Sequence, residues 1–236
     1  MTEKERLDAA KQLAKLFLDL PVQPHEDFGY LFVLHPFFET GALCDAQGLF
    51  QLDKDPERFE KYKEGFFEDY LCSSDSLNSL VSKVRKSYRV TFISYLEKEN
   101  ICTKKMCGDL LLYQWTSIES FATDVNVSMR KILSWLKEAN PNKFMDKEEK
   151  QILQSLPETI TVFRGVKEKQ AVESFSWTLD KDIAIWFAER FEKKGYVYQA
   201  QIPKDKIIAY TNERGEKEII LNYHYLQFPH LIYEIS

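Results

Sequence analysis

The chain offers little to the commonest kinds of reactive site. Its four histidines, His25, His35, His224 and His230, are too dispersed in 236 residues to gather round a metal. Its four cysteines, Cys44, Cys72, Cys102 and Cys107, form no CxxC, and no histidine stands beside the Cys102/Cys107 pair to complete a zinc site. Free thiols of structural role, and no metal, are expected. Eight glycines, scattered along the chain, build no GxGxxG and no Gly-Lys-Ser/Thr loop, so a Rossmann or P-loop nucleotide site is excluded. HExxH and a Ser/His/Asp elbow are missing as well. No apolar run approaches the roughly 18 residues that span a bilayer. The first residues, Met1-Thr-Glu-Lys-Glu-Arg-Leu7, lack the apolar segment of a signal peptide, so a cytoplasmic protein with no membrane partner is expected. Positive charge is not in excess either. The formal net charge is -5, which gives no general attraction to nucleic acid or anionic lipid.

Apolar and aromatic side chains are plentiful. Hydrophobic residues make up 44% of the chain, enough for a sizeable core in one large domain or two small ones. Residues 2–20 read as a helix, with Leu7, Ala10, Leu13, Leu16 and Phe17 at helical spacing and Pro21 as its stop. The apolar segment 28–38 reads equally as strand or buried helix. Phe59, Tyr62, Phe66 and Tyr70 mark a helix over 55–71, and others are expected at about 77–98, 106–122, 127–139 and 146–155. Lys83, Arg85, Lys86 and Arg89 read as a solvated helix face. After Leu156-Pro157 the composition shifts to β-formers, in runs at 159–164, 195–202, 206–210, 218–221 and 231–235. One helix interrupts them from Asp180, with Ile183, Trp186, Phe187 and Phe191 as its apolar residues. Trp186 and Phe187 read as core. A helical first part and a β-rich second part define an α+β class, with the change of character best placed between Pro141 and Pro157.

Three motifs stand in order in the β-rich part. Arg164 ends the apolar strand Val162-Phe163-Arg164-Gly165. Ser174-Phe-Ser176-Trp177-Thr178-Leu-Asp180 is a hydroxyl-rich strand feeding a helix. Arg214-Gly215-Glu216-Lys217-Glu218 brings an acid-x-acid pair to the start of another strand. Each alone has an ordinary explanation: a surface salt bridge, a polar strand face, and a solvent-facing side on which residues two apart point the same way. Their joint occurrence in this order is the informative feature.

In these motifs the chain resembles the Arg-Ser-Glu class of mono-ADP-ribosyltransferases, the group with cholera-toxin-like and clostridial-toxin-like folds, and within it uncharacterised bacterial and phage-type members. Arg164 matches the family's strand arginine, Ser176-Trp177-Thr178 its Ser-Thr-Ser motif, and Glu216-Lys217-Glu218 its Glu-x-Glu. The string from Ser176 to Ala188 and the segments around Tyr113 and Met145 extend the likeness to about residues 106–236, while 1–105 forms a helical region of unassigned role. Trp177 stands where the family has a small residue, and eleven residues separate Arg164 from Ser176, a shorter gap than in the toxins. The resemblance implies a split β-sandwich over 156–236 with a cleft for NAD, used as a substrate and without a metal.

The family reaction breaks the nicotinamide–ribose bond through an oxocarbenium-like transition state, as in glycoside cleavage. By resemblance, Glu218 holds a ribose hydroxyl and stabilises the developing cation. Ser176 orients Glu218, and Arg164 binds a phosphate of NAD through its donor fork. Gly165 and Thr178 belong to the same cofactor side. Glu216 acts on the acceptor, and Tyr210 with the loop Thr211–Gly215 faces it. The expected activity is transfer of ADP-ribose to a macromolecular acceptor, protein or nucleic acid, such as a protein arginine. Two other outcomes share these motifs: an NAD glycohydrolase, with water as acceptor, and a degenerate transferase fold serving as a binding or phage structural module.

Overall fold

The computed structural model describes residues 1–118, 126–190 and 195–235. The end of the helix expected over 106–122, and Phe191, lie outside them. The chain divides into two compact units, Met1–Ala139 and Asn140–Ser236. No helix among the described residues is long and apolar enough to cross a membrane.

The first unit opens with α1 (Glu3–Leu18), whose Thr2/Glu5 capping box satisfies the first free amides. Ala10, Leu13, Ala14, Phe17 and Leu18 form its buried stripe, and Phe17 meets Phe92 and Tyr95 edge-on at 5.1 and 5.3 Å. Leu16, counted in that stripe from spacing, is 66% exposed. Two hairpins follow: β1 (Gln23–His25) with β2 (Gly29–Leu34), and β3 (Ala42–Asp45) with β4 (Gly48–Gln51). The ambiguous segment 28–38 is thus strand where it is regular. Next comes α2 (Pro56–Gly65), N-capped by Asp55. The chain then continues through a π-helical stretch, Phe66–Leu71, so 55–71 is helical throughout but changes winding midway. Arg58 of α2 makes a bidentate pair with Asp45 (2.8 and 2.5 Å) and lies over the Phe50 ring, tying the second hairpin to the helix.

The helix read over 77–98 is two, α3 (Leu77–Lys83) and α4 (Arg89–Lys98), joined by a 3-10 turn at Lys86–Tyr88. The break explains the basic run. Arg85 donates to the carbonyls of Val33 and Phe38 and to Glu39, while Arg89 donates to the carbonyls of Val84 and Ser82 and to Ser117. Arg85 and Arg89 thus satisfy main-chain oxygens instead of forming the solvated face expected of them, while Lys86 is exposed. The unit ends with α5 (Lys104–Tyr113) and α6 (Met129–Leu136). Cys102 and Cys107 flank the Thr103 cap of α5 at the positions of a hydrophobic staple, both free and buried. α5 and α6, grouped with the β-rich part in the sequence reading, fall in this first unit.

The second unit begins with the short α7 (Pro141–Phe144) and α8 (Lys147–Ser155), the latter capped by an Asp146/Glu149 box. Then come β5 (Thr159–Val166), β6 (Ser176–Thr178), α9 (Lys181–Glu189), β7 (Gly195–Pro203), β8 (Ile207–Thr211), β9 (Glu218–Leu221) and β10 (Gln227–Ile235). The strands form one antiparallel sheet of order β10-β7-β5-β6-β9-β8. It is unevenly knit. β5 and β7 pair over eight positions, from Thr159↔Pro203 to Val166↔Tyr196, whereas β5 and β6 share only Phe163↔Thr178. Three strands lie on each side of that joint.

α9 covers the sheet at β5 and β7 through Ala184 and Ala188, which cluster with Val197, Phe163, Ile185 and Ile232. Of the apolar residues read from spacing, Ile183 and Phe187 are half-buried, while Trp186, expected in the core, is 52% exposed beside Arg190. Large residues cannot occupy the buried face because the helix backbone lies against two glycines. A Cβ on Gly165 would sit 1.8 Å from the Ala184 carbonyl oxygen, and one on Gly195 2.1 Å from that of Ala188.

Candidate functional site

The fork where β5 and β6 part gathers several of the expected residues. Arg164 leaves β5 one position beyond the joint. Its Nε donates to the Ala171 carbonyl at 3.1 Å and an Nη to the Ser176 carbonyl at 2.5 Å. Burial pulls the guanidinium down to about 10, against the opposing field of Glu218, so it stays a cation at neutral pH. Strand register adds detail. From Phe163↔Thr178 and Thr178↔Glu218, the side chains of Ser176, Thr178 and Glu218 start on the same sheet face as Phe163, and Arg164 starts on the other. Arg164 thus meets Ser176 through the main chain at the fork. Glu218 opens β9 directly opposite Thr178, with Ser176 diagonal to it.

Three expected residues are committed to the fold itself. Gly165 packs under α9, so its lack of a side chain serves helix–strand contact. Thr178 is buried. Its hydroxyl donates to the Glu216 carbonyl at 2.7 Å and accepts from the Asp180 amide at 3.0 Å, fixing the strand-to-helix corner. Tyr210, expected to face the acceptor, is 2% exposed, with its amide on the Met145 sulfur at 3.4 Å. It alternates into the core because it pairs with fully buried Ile219. Trp177 is likewise buried, its indole donating to the Ser174 carbonyl.

The acid pair is arranged differently from a strand edge. β9 begins at Glu218, and Lys217 has φ +46°, the left-handed region that a lysine rarely adopts. Glu216 therefore belongs to the preceding loop, and the rule that residues two apart share a strand face does not relate it to Glu218. Glu216 accepts the Arg214 guanidinium at 3.1 Å. The loop is pinned on several sides. The Lys217 amide donates to the Asn212 side chain at 3.0 Å, the Leu179 amide to the Lys217 carbonyl at 3.1 Å, and the Asn212 amide to Glu149 at 2.9 Å. Lys217 also reaches Asp180 at 2.8 Å, and that pair holds the Asp180 carboxyl below its usual range and the Lys217 ammonium above its own.

Asp180, Asn212 and Glu149 are thus part of the site's frame. The sequence names Asp180 only as the head of a helix and Asn212 only within the loop Thr211–Gly215, and the Asp146/Glu149 capping pattern was the visible signal for Glu149. Beyond this loop a cavity of about 330 Å³ is lined by Phe144, Asp146, Glu148, Glu149, Thr211 and Glu213 among others. Arg164, Ser176 and Glu218 are not in its wall. Among the described residues no group of three or more metal-ligating side chains occurs. Chemically, the fork places a half-buried guanidinium near a carboxylate at the start of a strand, with a second half-buried carboxylate on a hydrogen-bonded loop. Comparison with protein-family models, with curated proteins and with solved structures finds no match for this chain.

Proposed function

We propose that the 140–236 unit is an NAD site of the mono-ADP-ribosyltransferase kind, its six strands read as the split β-sandwich of that class. Glu218 would stabilise the cation that develops as nicotinamide leaves. Glu216 would receive a macromolecular acceptor, protein or nucleic acid, and Arg164 would hold the dinucleotide. The observation that carries this reading is the lodging of the Arg164 guanidinium in the β5/β6 fork, on the main chain of Ser176 and in the field of Glu218. A cation half-buried in a sheet loses hydration and is costly unless it is paired or serves a ligand.

The test is incubation with NAD labelled in its adenylate half, followed by assay of free nicotinamide and of label in protein and nucleic-acid fractions. Label in a macromolecule with matching nicotinamide supports transfer, and nicotinamide without label indicates glycohydrolysis. Neither product, with no rise in melting temperature on adding NAD, refutes an NAD site. One observation favours the second reading, a transferase-like fold kept as a binding module: two of the Arg164 donors are already spent on carbonyl oxygens.

A further inference from the structure

Lys217 sits between the two acids in a backbone conformation that is unfavourable for any residue with a side chain. A glycine would adopt it freely. The chain places a lysine there, and the lysine has a partner. Its ammonium meets Asp180 Oδ2 at 2.8 Å. The other oxygen of Asp180, Oδ1, accepts from the Asp182 amide at 3.0 Å and caps α9. One carboxylate therefore joins the head of α9 to the residue that separates Glu216 from Glu218. The contacts beside it act in the same direction. The Thr178 hydroxyl holds the Glu216 carbonyl, and the Leu179 amide holds the Lys217 carbonyl.

The side chains of the pair are 50% and 27% exposed. Ion pairs so open to water contribute little to folding stability. What the bridge does contribute is direction: with the Lys217 carbonyl, amide and ammonium all fixed, the backbone delivers Glu218 to the fork and Glu216 to the loop at set positions.

We propose that Asp180 is a positioning residue, acting through Lys217 to hold Glu218 at the β5/β6 fork. This rests on the reading of Glu218 as the group that stabilises the ribose cation. The prediction separates Asp180's two duties, because asparagine caps a helix as well as aspartate does but carries no charge for Lys217.

The experiment measures nicotinamide release from NAD by the full chain and by Asp180→Asn, Lys217→Met, their double variant and Lys217→Arg, with melting temperatures for each. Loosened placement of a reacting group costs on the order of tenfold or more in rate. The expected result is a roughly tenfold fall in kcat for Asp180→Asn and Lys217→Met, with KM for NAD and melting temperature unchanged. The double variant should be no worse than either single one, and Lys217→Arg should recover most of the rate. Wild-type kcat in both single variants, or losses that multiply in the double variant, would overturn the positioning role. Lys217→Met leaves the cap of α9 untouched, so it decides the matter even if Asp180→Asn folds poorly. A wild-type chain that releases no nicotinamide overturns the functional reading instead, and with it the role built on that reading.

Discussion

Gly165→Ala distinguishes a packing glycine from a cofactor glycine. The added methyl group would lie 1.8 Å from the Ala184 carbonyl oxygen and 2.8 Å from the Ala188 amide nitrogen, both main-chain atoms of α9. Comfortable contact is about 3.5 Å, so the helix must retreat by roughly 1.5 Å or β5 must sink by as much. Neither side is free to do so. β5 is paired to β7 over its whole length, and the same helix is seated on Gly195, where a Cβ would meet Ala188 at 2.1 Å. Overpacking of a rigid contact costs about 3 kcal/mol. For a unit of roughly 100 residues that corresponds to a fall of about 10–20 °C in melting temperature. Scanning calorimetry on wild type and variant measures it. Gly65→Ala is the control of opposite sign: its Cβ meets nothing within 4 Å, and alanine is the better helix former by up to about 1 kcal/mol. A Gly165→Ala chain that melts within about 2 °C of wild type yet loses affinity for NAD would show that Gly165 lines the cofactor site and that α9 does not press on it.

Glu218→Gln keeps the shape of the side chain and removes its charge, so nicotinamide release should fall by about a hundredfold or more with the fold intact; a loss below about threefold would remove Glu218 from the chemistry. Glu216→Gln should spare NAD hydrolysis and reduce transfer to an acceptor, and a parallel loss of both would show that the two acids do not divide the work. His35, 1% exposed, is held down to about 4, mainly by its burial. Between the unfolded value of 6.5 and that folded value the unfolded chain binds the extra proton, so stability is full above pH 6.5 and is lost as the pH falls. The loss from pH 7 to pH 5 amounts to roughly 2 kcal/mol from this group. Urea midpoints at the two pH values, in wild type and His35→Gln, should show that difference shrinking in the variant; equal pH dependence in both would place the titration elsewhere.

Elements with a strong, one-sided pattern were legible in the sequence, and elements shaped by the backbone were not. Leu13 and Phe17 announce α1 because an apolar stripe at helical spacing has one way to be buried. The burial of α9 escaped the same logic. Its contact surface is Ala184 and Ala188 on Gly165 and Gly195, and small residues register as weakly apolar in any periodicity while Trp186 dominates it. The order Arg164, Ser176, Glu218 could be read along the chain, but their relation at the fork depends on the β5/β6 register. Placing Glu216 on the face of Glu218 failed for a single torsion, the positive φ of Lys217, for which lysine gives no warning. Arg85 and Arg89 read as part of a solvated face because composition reports charge and not which carbonyl oxygens lie within reach.

The single pairing of Phe163 with Thr178 has a mechanical consequence. A ladder of eight pairs, such as β5 with β7, opens only at the cost of many main-chain bonds at once. A seam held by one rung opens at the cost of very few, and the ribbons on either side keep their own ladders when it does. The sheet therefore has a built-in line of weakness that passes beside Arg164. Amide exchange at Thr178 should run ahead of exchange along β5 and β7, as cooperative openings follow the least-bonded boundary.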